Sequence, residues 1–519
     1  MSHTEIGAPI ARLDYVRLRR NVLTPRYEDL QAGTRTRDDH PVGCCIMVER
    51  DVLLPCNALQ VSSIHHIIRR NTMNHHALEQ KRRIIVQKII IGIDPAKAKH
   101  QAAIIDPAGM QRGTSFAFPV SVDGYTTTLW KNIYKILPTC NAEEVVFAVE
   151  SSCNLWHTIT YYLHSLGYTV LLVSPLSTHH ARPILNLEFS RTDPKDAFLI
   201  ARVAQQGSFV SYTRWAPESN ALHTLGIAYD KLRKNMAQNR ARLRALMERI
   251  FPEFLTILPP DTASAMYLLK KYCFPDEFFA LDSVTEATAL EHISRHQHGR
   301  STLERLRLAA EHSIGIPMRN DERISERVIL TGWLAMIEII EAQMNTLLSE
   351  LLRLAQQIPE FHILTSMKGI GNTLAALFLA EVRDLKRFTH FKELEKFAAL
   401  NLRLSDSGQH TGNRHISHLG NRRLLWIVYR MTEETARRVP EVRCKYLTRQ
   451  LHRRRHRKSI IASTPQLLQL IVALTREQRP YQLREASCDK LNELEQLYKH
   501  HKTISASRRT SRLVPVPAL

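Results

Sequence analysis

Between positions 84 and 94 the chain runs almost without interruption through β-branched residues. The run reads Ile84-Ile85-Val86-Gln87-Lys88-Ile89-Ile90-Ile91-Gly92-Ile93-Asp94, and Asp94-Pro95 ends it. A strand with so little polar surface is typical of one that is covered on both faces of a sheet. The sequence therefore predicts a buried strand whose last residue is Asp94.

Strand and helix patterns alternate after this run. Strand patterns occupy residues 101–105, 114–120, 145–149 and 168–173, and helical patterns occupy residues 122–137, 154–166 and 193–206. Three leading strands followed by alternating helices and strands are typical of a mixed sheet with helices on its faces. This part of the chain is therefore predicted to be an α/β domain.

Four carboxylates occupy positions at which such a sheet binds ligands. Asp94 and Glu150 each follow a predicted buried strand, at the edge where open α/β sheets place their ligands. Asp193 and Asp196 lie three residues apart at the start of a predicted helix, with Pro194 in its first turn, so both lie on one helix face.

Converging carboxylates repel one another unless cations compensate them, and this leaves two interpretations. In the first, Mg²⁺ or Mn²⁺ fills the site, and two such ions ~3.5–4 Å apart stabilise the attacking and leaving oxygens of a phosphodiester displacement. In the second, Asp193 is a helix N-cap and Asp196 complements the helix dipole. The spacing alone leaves a metal-dependent nuclease-like site and a structural role both open.

The charge of the chain indicates a polyanionic partner. Lys and Arg number 71 against 50 Asp and Glu, a net charge of +21, which favours nucleic acid first and an anionic membrane surface second. No apolar run reaches the ~18 residues of a membrane span, and residues 1–20 contain no signal-peptide core. Eight scattered cysteines form no C-x-x-C pair, so we expect reduced thiols in a cytosolic protein rather than a zinc ribbon or a disulfide framework.

Two long amphipathic helical patterns, at 219–250 and 322–357, flank a mixed insert further along the chain. They predict an antiparallel coiled hairpin whose apolar stripes form a core or a dimer seam. The predicted organisation is a poorly specified extension at 1–85, an α/β domain at 86–212, the hairpin at 213–358, a mainly α C-terminal domain at 359–486 and a loose basic tail at 487–519.

The C-terminal part contains two features that suit a phosphate backbone. Lys368-Gly369-Ile370-Gly371-Asn372 separates two helical patterns, and is either a helix-hairpin-helix-like turn that grips DNA or a simple interhelical turn. Residues 401–460 carry 15 Lys and Arg against 4 Asp and Glu, a net charge of +11. This concentration favours nucleic-acid contact over a merely solvated face. The predicted contact residues are Lys368, Gly369, Gly371, Arg414, Arg422, Arg423, Arg453, Arg454 and Arg455.

Three motifs resemble the Asp-Glu-Asp-Asp (DEDD) transposases of the IS-one-ten family of insertion sequences. They are Gly92-Ile93-Asp94-Pro95-Ala96-Lys97, Ala148-Val149-Glu150-Ser151-Ser152 and Arg191-Thr192-Asp193-Pro194-Lys195-Asp196-Ala197. The resemblance covers roughly residues 86–490. It implies a RuvC-like, ribonuclease-H-like catalytic domain in which Asp94, Glu150, Asp193 and Asp196 hold Mg²⁺.

The segment from Leu400 to Gly408 and the later Gly420-Asn421 resemble this family's Ser-Gly and Gly-Asn elements. The resemblance implies that Ser407 is a nucleophile that attacks a DNA phosphate to form a phosphoserine link. Read alone, Ser405-Asp406-Ser407-Gly408 is a turn. Ala399 stands where the family usually has glycine, Leu402 stands near its usual proline, and Ser405 is the competing candidate nucleophile.

The resemblance further implies a DNA transposase or site-specific recombinase that acts on the double-stranded ends of its element and on target DNA. It implies guidance by a structured bridge RNA and action as a homodimer or tetramer, in which Ser407 of one subunit completes the carboxylate site of another. The expected location is the cytoplasm and nucleoid of a bacterial or archaeal cell.

Two alternatives to this activity stay open. One is a metal-dependent, Holliday-junction-type nuclease in which water attacks and Ser407 is structural. The other is a decayed remnant that binds nucleic acid without cutting it. Because the resemblance begins near Val86, residues 1–85 are expected to be an upstream extension or the result of a mis-set start.

Overall fold

The computed structural model describes residues 79–184, 192–403, 406–407, 410–411, 415–417, 419–452 and 454–510. At residues 184, 403, 406–407, 410–411, 415, 486 and 502–510 it describes the backbone alone. Contacts divide the chain into two compact units, unit 1 within Met1–Leu155 and Val173–Phe209 and unit 2 within Trp156–Leu172 and Val210–Leu519. No helix of the described ranges is both long and apolar enough to cross a membrane.

Six strands form the main sheet. They are β1 (Ile89–Asp94), β2 (Lys99–Ile105), β3 (Gln111–Pro119), β4 (Val145–Glu150), β5 (Thr169–Val173) and β6 (Val210–Ser211), in the order β3-β2-β1-β4-β5-β6. β1 pairs antiparallel with β2 and parallel with β4, and β2 pairs antiparallel with β3. The predicted mixed sheet is therefore confirmed.

The predicted first strand begins at Ile89 rather than at residue 84. Residues 79–85 are helical instead; Ile85 in this segment is buried, and Lys81 Nζ donates a hydrogen bond to Phe209 O at 2.6 Å. The run of β-branched residues thus divides between a helix end and a strand, because a short apolar run does not by itself separate the two.

The helices that accompany these strands along the chain are α1 (Leu129–Ile136), α2 (His157–Ser165), α3 (Pro175–Ile184) and α4 (Asp193–Gln205), and a π-helical turn (Gly124–Thr128) precedes α1. The predicted helix at 122–137 is therefore divided in two, and α3 was not predicted. Its two prolines, Pro175 and Pro183, and the polar pair His179-His180 interrupt the apolar period by which a helix is recognised.

Gly92 sets how closely β1 and α4 approach each other within unit 1. A Cβ atom added at this glycine would lie 2.2 Å from Ala197 O and 2.7 Å from Ala201 N. The strand residues around it, Ile91 and Ile93, are fully buried. The close approach brings the N-terminal turn of α4 over the strand that ends at Asp94.

Unit 2 is mainly helical. Its helices after α2 are α5 (Pro217–Ile250), α6 (Phe254–Ile257), α7 (Ala263–Lys271), α8 (Pro275–Phe279), α9 (Ser283–Ser294), α10 (Arg300–Glu311), α11 (Asn320–Ala355), α12 (Pro359–Thr365), α13 (Asn372–Val382), α14 (Phe391–Phe397), α15 (Arg422–Thr435), α16 (Pro440–Leu451), α17 (His456–Glu477) and α18 (Glu485–Thr510). A 3₁₀ turn (Leu385–Arg387) follows α13, and short strands β7 (Leu402–Arg403), β8 (Asp406–Ser407), β9 (His410–Thr411) and β10 (His415–Ile416) precede α15.

The two longest helices, α5 and α11, share apolar cores. Leu222 near the start of α5 belongs to the same buried cluster as Leu351 near the end of α11. Leu246 near the end of α5 belongs to a second cluster with Leu334 of α11. Both helices were predicted, and each lies within two residues of its expected bounds.

Candidate active site

Asp94 and Glu150 lie side by side at the sheet edge. Each is the last residue of its strand, and β1 and β4 are parallel neighbours in which Ile93 pairs with Val149. Both carboxylates therefore leave the sheet at the same edge, where the ends of parallel strands place ligands.

The first turn of α4 contributes Asp193 and Asp196. Thr192 is the N-cap of this helix, with an extended backbone (φ −136°, ψ 139°), and Asp193 is the first helical residue. The alternative in which Asp193 is the N-cap is therefore wrong. Asp196 donates its backbone N–H to Thr192 O at 3.0 Å, so both acidic side chains belong to the same helical turn.

The pKa of Asp94 indicates that the other three carboxylates lie close to it. Burial, together with the negative charges of Glu150, Asp196 and Asp193, raises the pKa of Asp94 to about 7, while the charge of Arg182 acts in the opposite direction. The pKa near neutrality thus reflects first the burial of this carboxyl group and then the negative charge gathered around it.

Two residues of α3, Arg182 and Thr178, contact the acidic cluster, and the sequence did not predict either. Arg182 Nη2 forms an ion pair with Asp196 Oδ1, and Thr178 Oγ1 lies 2.5 Å from Glu150 Oε1. Their spacing of four residues, which places both on one face of a helix, is the signal by which they could have been found. Arg182 Nη1 is buried and has no hydrogen-bond partner among the described residues.

A cavity of about 420 Å³ opens beside these contacts. Its walls come from α3, from α4 and from the end of β4, all within unit 1. The lining residues are Glu150, Pro175, Leu176, Thr178, His179, Arg182, Asp196, Leu199 and Ile200. The cavity therefore gives access to two of the four carboxylates and to the guanidinium that faces them.

The donor set fits a hard divalent cation. Mg²⁺ and Mn²⁺ prefer oxygen ligands, and among the described residues the cluster offers four carboxylates against the guanidinium of Arg182. Within the described ranges, however, no three acidic, histidine or cysteine side chains are already arranged as ligands around one point. Arg182 provides the positive charge next to Asp196 in this conformation.

The predicted nucleophile Ser407 lies in β8, which pairs with β9 so that Ser407 is opposite His410. Its backbone is described, and its side chain lies outside the described residues, as do Ser405, Arg414 and Arg453. Ala399, which stands where the family usually has glycine, is buried and has a positive φ of 57°. A left-handed backbone explains why glycine suits that position.

The glycine-rich turn predicted to grip DNA connects α12 to α13. Gly369 has φ +107°, and a Cβ atom there would lie 2.9 Å from the Glu434 carbonyl of α15, so close packing already requires a glycine. Lys368 and Gly371 are exposed, while Ile370 is buried in the core. The connection between two helices was predicted correctly, and contact with phosphate stays a prediction for Lys368 and Gly371.

Arg423 has a buried partner within the protein. Its Nε donates to Glu381 Oε1 at 2.6 Å, and Asn421 Nδ2 donates to Glu381 Oε2 at 2.5 Å, although the Glu381 side chain is only 2% exposed. Arg423 thus positions the start of α15. Arg422, Arg454 and Arg455 are exposed, and their contact with nucleic acid stays a prediction.

Two family models match separate segments of the chain. Residues 91–252 match the DEDD transposase model of IS110, and residues 361–447 match the model described as Transposase IS116/IS110/IS902 family. Both matched segments are similar to transposases of this family, which confirms the resemblance predicted from the motifs.

Two curated relatives come from Streptomyces insertion elements. The 44.8 kDa protein of IS116 from Streptomyces clavuligerus is 31% identical over 117 residues, which are 22% of this chain and 29% of that protein. The 43.6 kDa protein of IS110 from Streptomyces coelicolor is 23% identical over 305 residues, which are 57% of this chain and 73% of that protein. The chain therefore spans less than a third of the first relative and about three quarters of the second.

A solved structure of T. thermophilus RuvC in complex with a Holliday junction substrate is also similar. It is 14% identical, with a TM-score of 0.19, and the similarity covers 24% of this chain and 99% of that chain.

Proposed function

We propose that this protein is the transposase of an insertion sequence, a site-specific recombinase that cuts and rejoins double-stranded DNA with the help of a divalent metal. The observation that carries the proposal is the convergence of Asp94, Glu150, Asp193 and Asp196 in unit 1, which the guanidinium of Arg182 opposes among the residues that the structure describes. Enzymes that act on phosphodiesters use such carboxylate sets to place metal ions on both reacting oxygens.

The chain's own residues prepare this site in three ways. The strand ends hold Asp94 and Glu150 on a rigid sheet, and Thr178 fixes the Glu150 carboxylate with its hydroxyl. The close contact at Gly92 fixes the helix that carries Asp193 and Asp196. When bound, Mg²⁺ or Mn²⁺ would supply Lewis-acid stabilisation of the attacking and leaving oxygens of the phosphodiester.

We propose that Ser407 is the nucleophile. It lies inside the second family match, and Ser407 corresponds to the family's serine in the motif resemblance. Its Oγ forms a bond to phosphorus while the bond from phosphorus to the departing strand oxygen breaks. The hydroxyl loses its proton to solvent, and the departing oxygen takes one up.

The remaining parts of the proposal concern partners and assembly. The net charge of +21 suits both DNA and a structured guide RNA, and the family resemblance supports a bridge RNA. We also propose that α5 and α11 form an antiparallel hairpin, and that the protein works as a homodimer or tetramer in the cytoplasm. Sequencing the nucleic acid that co-purifies with the protein tests the guide RNA.

The experiment that tests the catalytic proposal is capture of a covalent protein–DNA adduct with Mg²⁺ and an element-end duplex. The wild type and Ser405→Ala should form the adduct, whereas Ser407→Ala and Asp94→Ala should form none. Strand cleavage that continues in Ser407→Ala without an adduct would identify a metal-dependent nuclease that uses water. Recombination by Asp94→Ala at the wild-type level would sink the proposal.

A further inference from the structure

Arg383 has a strained backbone directly after α13. It has φ +65° and ψ −74°, and Asp384 donates its N–H to Val382 O at 2.9 Å, which closes a three-residue γ-turn. This form of the γ-turn is rare, because it holds an L-residue at a positive φ that glycine tolerates far better. Strain of this kind persists where surrounding structure enforces it, and it is found most often at functional sites.

The strained turn directs the Arg383 side chain to an aromatic ring that a second arginine shares. Arg383 Cζ lies 5.2 Å from the centre of the Trp215 ring, and Arg387 Cζ lies 5.3 Å from the same centre. Arg387 is also 4.6 Å from the ring centres of Phe388 and Phe397. Cation–π contacts hold both planar groups in place without consuming their hydrogen-bond donors.

Neither guanidinium forms an ion pair with a carboxylate within the described ranges, although the charge of Glu381 acts on Arg383 and that of Asp384 acts on Arg387. Arg383 Nη1 donates only to the amide oxygen of Asn220, at 3.2 Å. The nearest buried carboxylate, Glu381, already accepts hydrogen bonds from Asn421 and Arg423 on its two oxygens. Arg387 forms no ion pair in this part of the chain, and Asp384 beside it caps the 3₁₀ turn through the Lys386 N–H.

The two like charges also oppose each other. Burial lowers the pKa of Arg383, and the charge of Arg387 lowers it further. Burial likewise lowers the pKa of Arg387. The positive potential reaches His157 and His223, whose pKa values are lowered first by burial and then by Arg383. An anion shared by the two guanidinium groups would remove this repulsion and use their free donors.

We propose that Arg383, Arg387 and Trp215 form a clamp for the phosphodiester backbone of nucleic acid, separate from the acidic site and from the basic run at 453–458. The proposal rests on the proposed action of the chain on nucleic acid. Guanidinium groups bind phosphate through paired, parallel hydrogen bonds, and Trp215 holds two of them with most of their N–H groups uncommitted. The contact is to backbone, so it fixes position without reading sequence.

The test compares Arg383→Gln/Arg387→Gln with a matched control that removes two other charges. Arg305→Gln/Arg307→Gln is that control, because both side chains are exposed on α10 and Arg307 also stacks on an aromatic ring, at 5.3 Å from the centre of Phe279. Binding to a fluorescein-labelled DNA duplex and to a single-stranded RNA of equal length is titrated at several salt concentrations. Binding by the clamp variant should weaken roughly tenfold at physiological salt.

The salt dependence decides between the outcomes. The slope of log binding constant against log salt should fall by about 2 in the clamp variant and stay at the wild-type value in the control. A loss confined to the duplex or to the RNA assigns the clamp to that nucleic acid. Wild-type slope and affinity in the clamp variant overturn the clamp and leave the proposed function intact, whereas a wild type that binds neither nucleic acid overturns both.

A second variant separates binding from folding. Arg383→Gly removes the guanidinium and relieves the positive φ, so its melting temperature should equal or exceed that of the wild type while its affinity falls. A melting temperature that drops by several degrees with unchanged affinity would mean that Arg383 is merely structural, and would overturn the clamp.

Discussion

At the scale of single residues, Asp94 shows that the candidate site lowers the stability of the folded protein. Its carboxyl group is surrounded by three others, and the ion pair that Arg182 makes is with Asp196. Without a divalent ion to compensate them, the clustered negative charges lower the free energy of unfolding. This is the pattern expected of a functional site, where stability is given up for binding.

Asp94→Asn should therefore stabilise the metal-free protein. Because the folded-state pKa is raised to about 7 from the usual 3.8, the ionised group opposes folding above that range, and the penalty disappears as the pH falls from about 7 towards 4. At pH 8 we expect a gain on the order of 2 kcal/mol, less than the full shift implies because the carboxylate is partly exposed. Urea unfolding of the wild type and of Asp94→Asn in EDTA measures this difference in the free energy of unfolding.

The effect of added Mg²⁺ is the second part of this prediction. It should raise the melting temperature of the wild type by mass action and leave that of Asp94→Asn nearly unchanged. An equal rise in both proteins would mean that the ion binds elsewhere.

His100 should produce a pH dependence of the opposite sign. Burial lowers its pKa to about 4 from 6.5, and its neutral ring accepts the Ala96 N–H at Nδ1 and contacts the Tyr125 hydroxyl at 2.8 Å. Stability is then complete above pH 6.5 and is lost as the pH falls towards 4, by about 3 kcal/mol. Because Asp94 acts in the opposite direction over the same range, this slope is measured as the difference between the wild type and a His100 variant in chemical unfolding between pH 7 and pH 4.5.

His100→Gln provides the comparison for that slope. The glutamine variant should be less stable at pH 7 but should lose less stability on acidification. Parallel pH profiles for the two proteins would contradict a neutral, buried His100.

At the scale of elements, the packing of β1 on α4 determines the geometry of the acidic cluster. Gly92→Ala should destabilise the protein by about 1–3 kcal/mol, because the new methyl group meets the backbone of Ala197 and Ala201 rather than a movable side chain. It should also displace Asp193 and Asp196 from Asp94. Urea unfolding measures the first effect, and the Mg²⁺-induced rise in melting temperature measures the second.

Gly332→Ala is the matched control for this substitution. Gly332 lies in α11, and nothing lies within 4 Å of a Cβ atom added there. Alanine should stabilise this helix by about 1 kcal/mol through its helix propensity. If Gly92→Ala behaves like Gly332→Ala, the close contact between β1 and α4 does not exist.

The helices and strands also differ in how well the sequence predicts them. β1, β4 and α4 carry strong patterns, so the four carboxylates could be assigned to two strand ends and one helix turn. Arg182 and Thr178 were missed, because the prolines and histidines of α3 hide its helical period, so their four-residue spacing was not recognised as one helix face. Arg423 was predicted to contact nucleic acid, whereas its partner Glu381 is far away in sequence and only tertiary packing brings the two together.

At the scale of the whole molecule, opposite charges are separated along the chain. The acidic cluster belongs to unit 1, whereas the +11 surplus at 401–460 and the proposed Arg383–Arg387 clamp belong to unit 2. A divalent metal and a nucleic acid should therefore protect different segments from hydrogen exchange. Each ligand shields the backbone that it orders, so the map of protection reports where it binds.

Hydrogen exchange followed by mass spectrometry tests this separation over the full chain. Mg²⁺ alone should slow exchange at the ends of β1 and β4 and in the first turn of α4, and should leave α16 unchanged. A DNA duplex in EDTA should slow exchange around residues 382–388 and 454–458, because counterion release from the backbone needs arginine and lysine rather than metal. The Arg383→Gln/Arg387→Gln variant should lose protection at 382–388 and keep it at 454–458. Protection of α16 by Mg²⁺ alone would contradict the division, since it would place a metal site among the basic residues instead of among the four carboxylates.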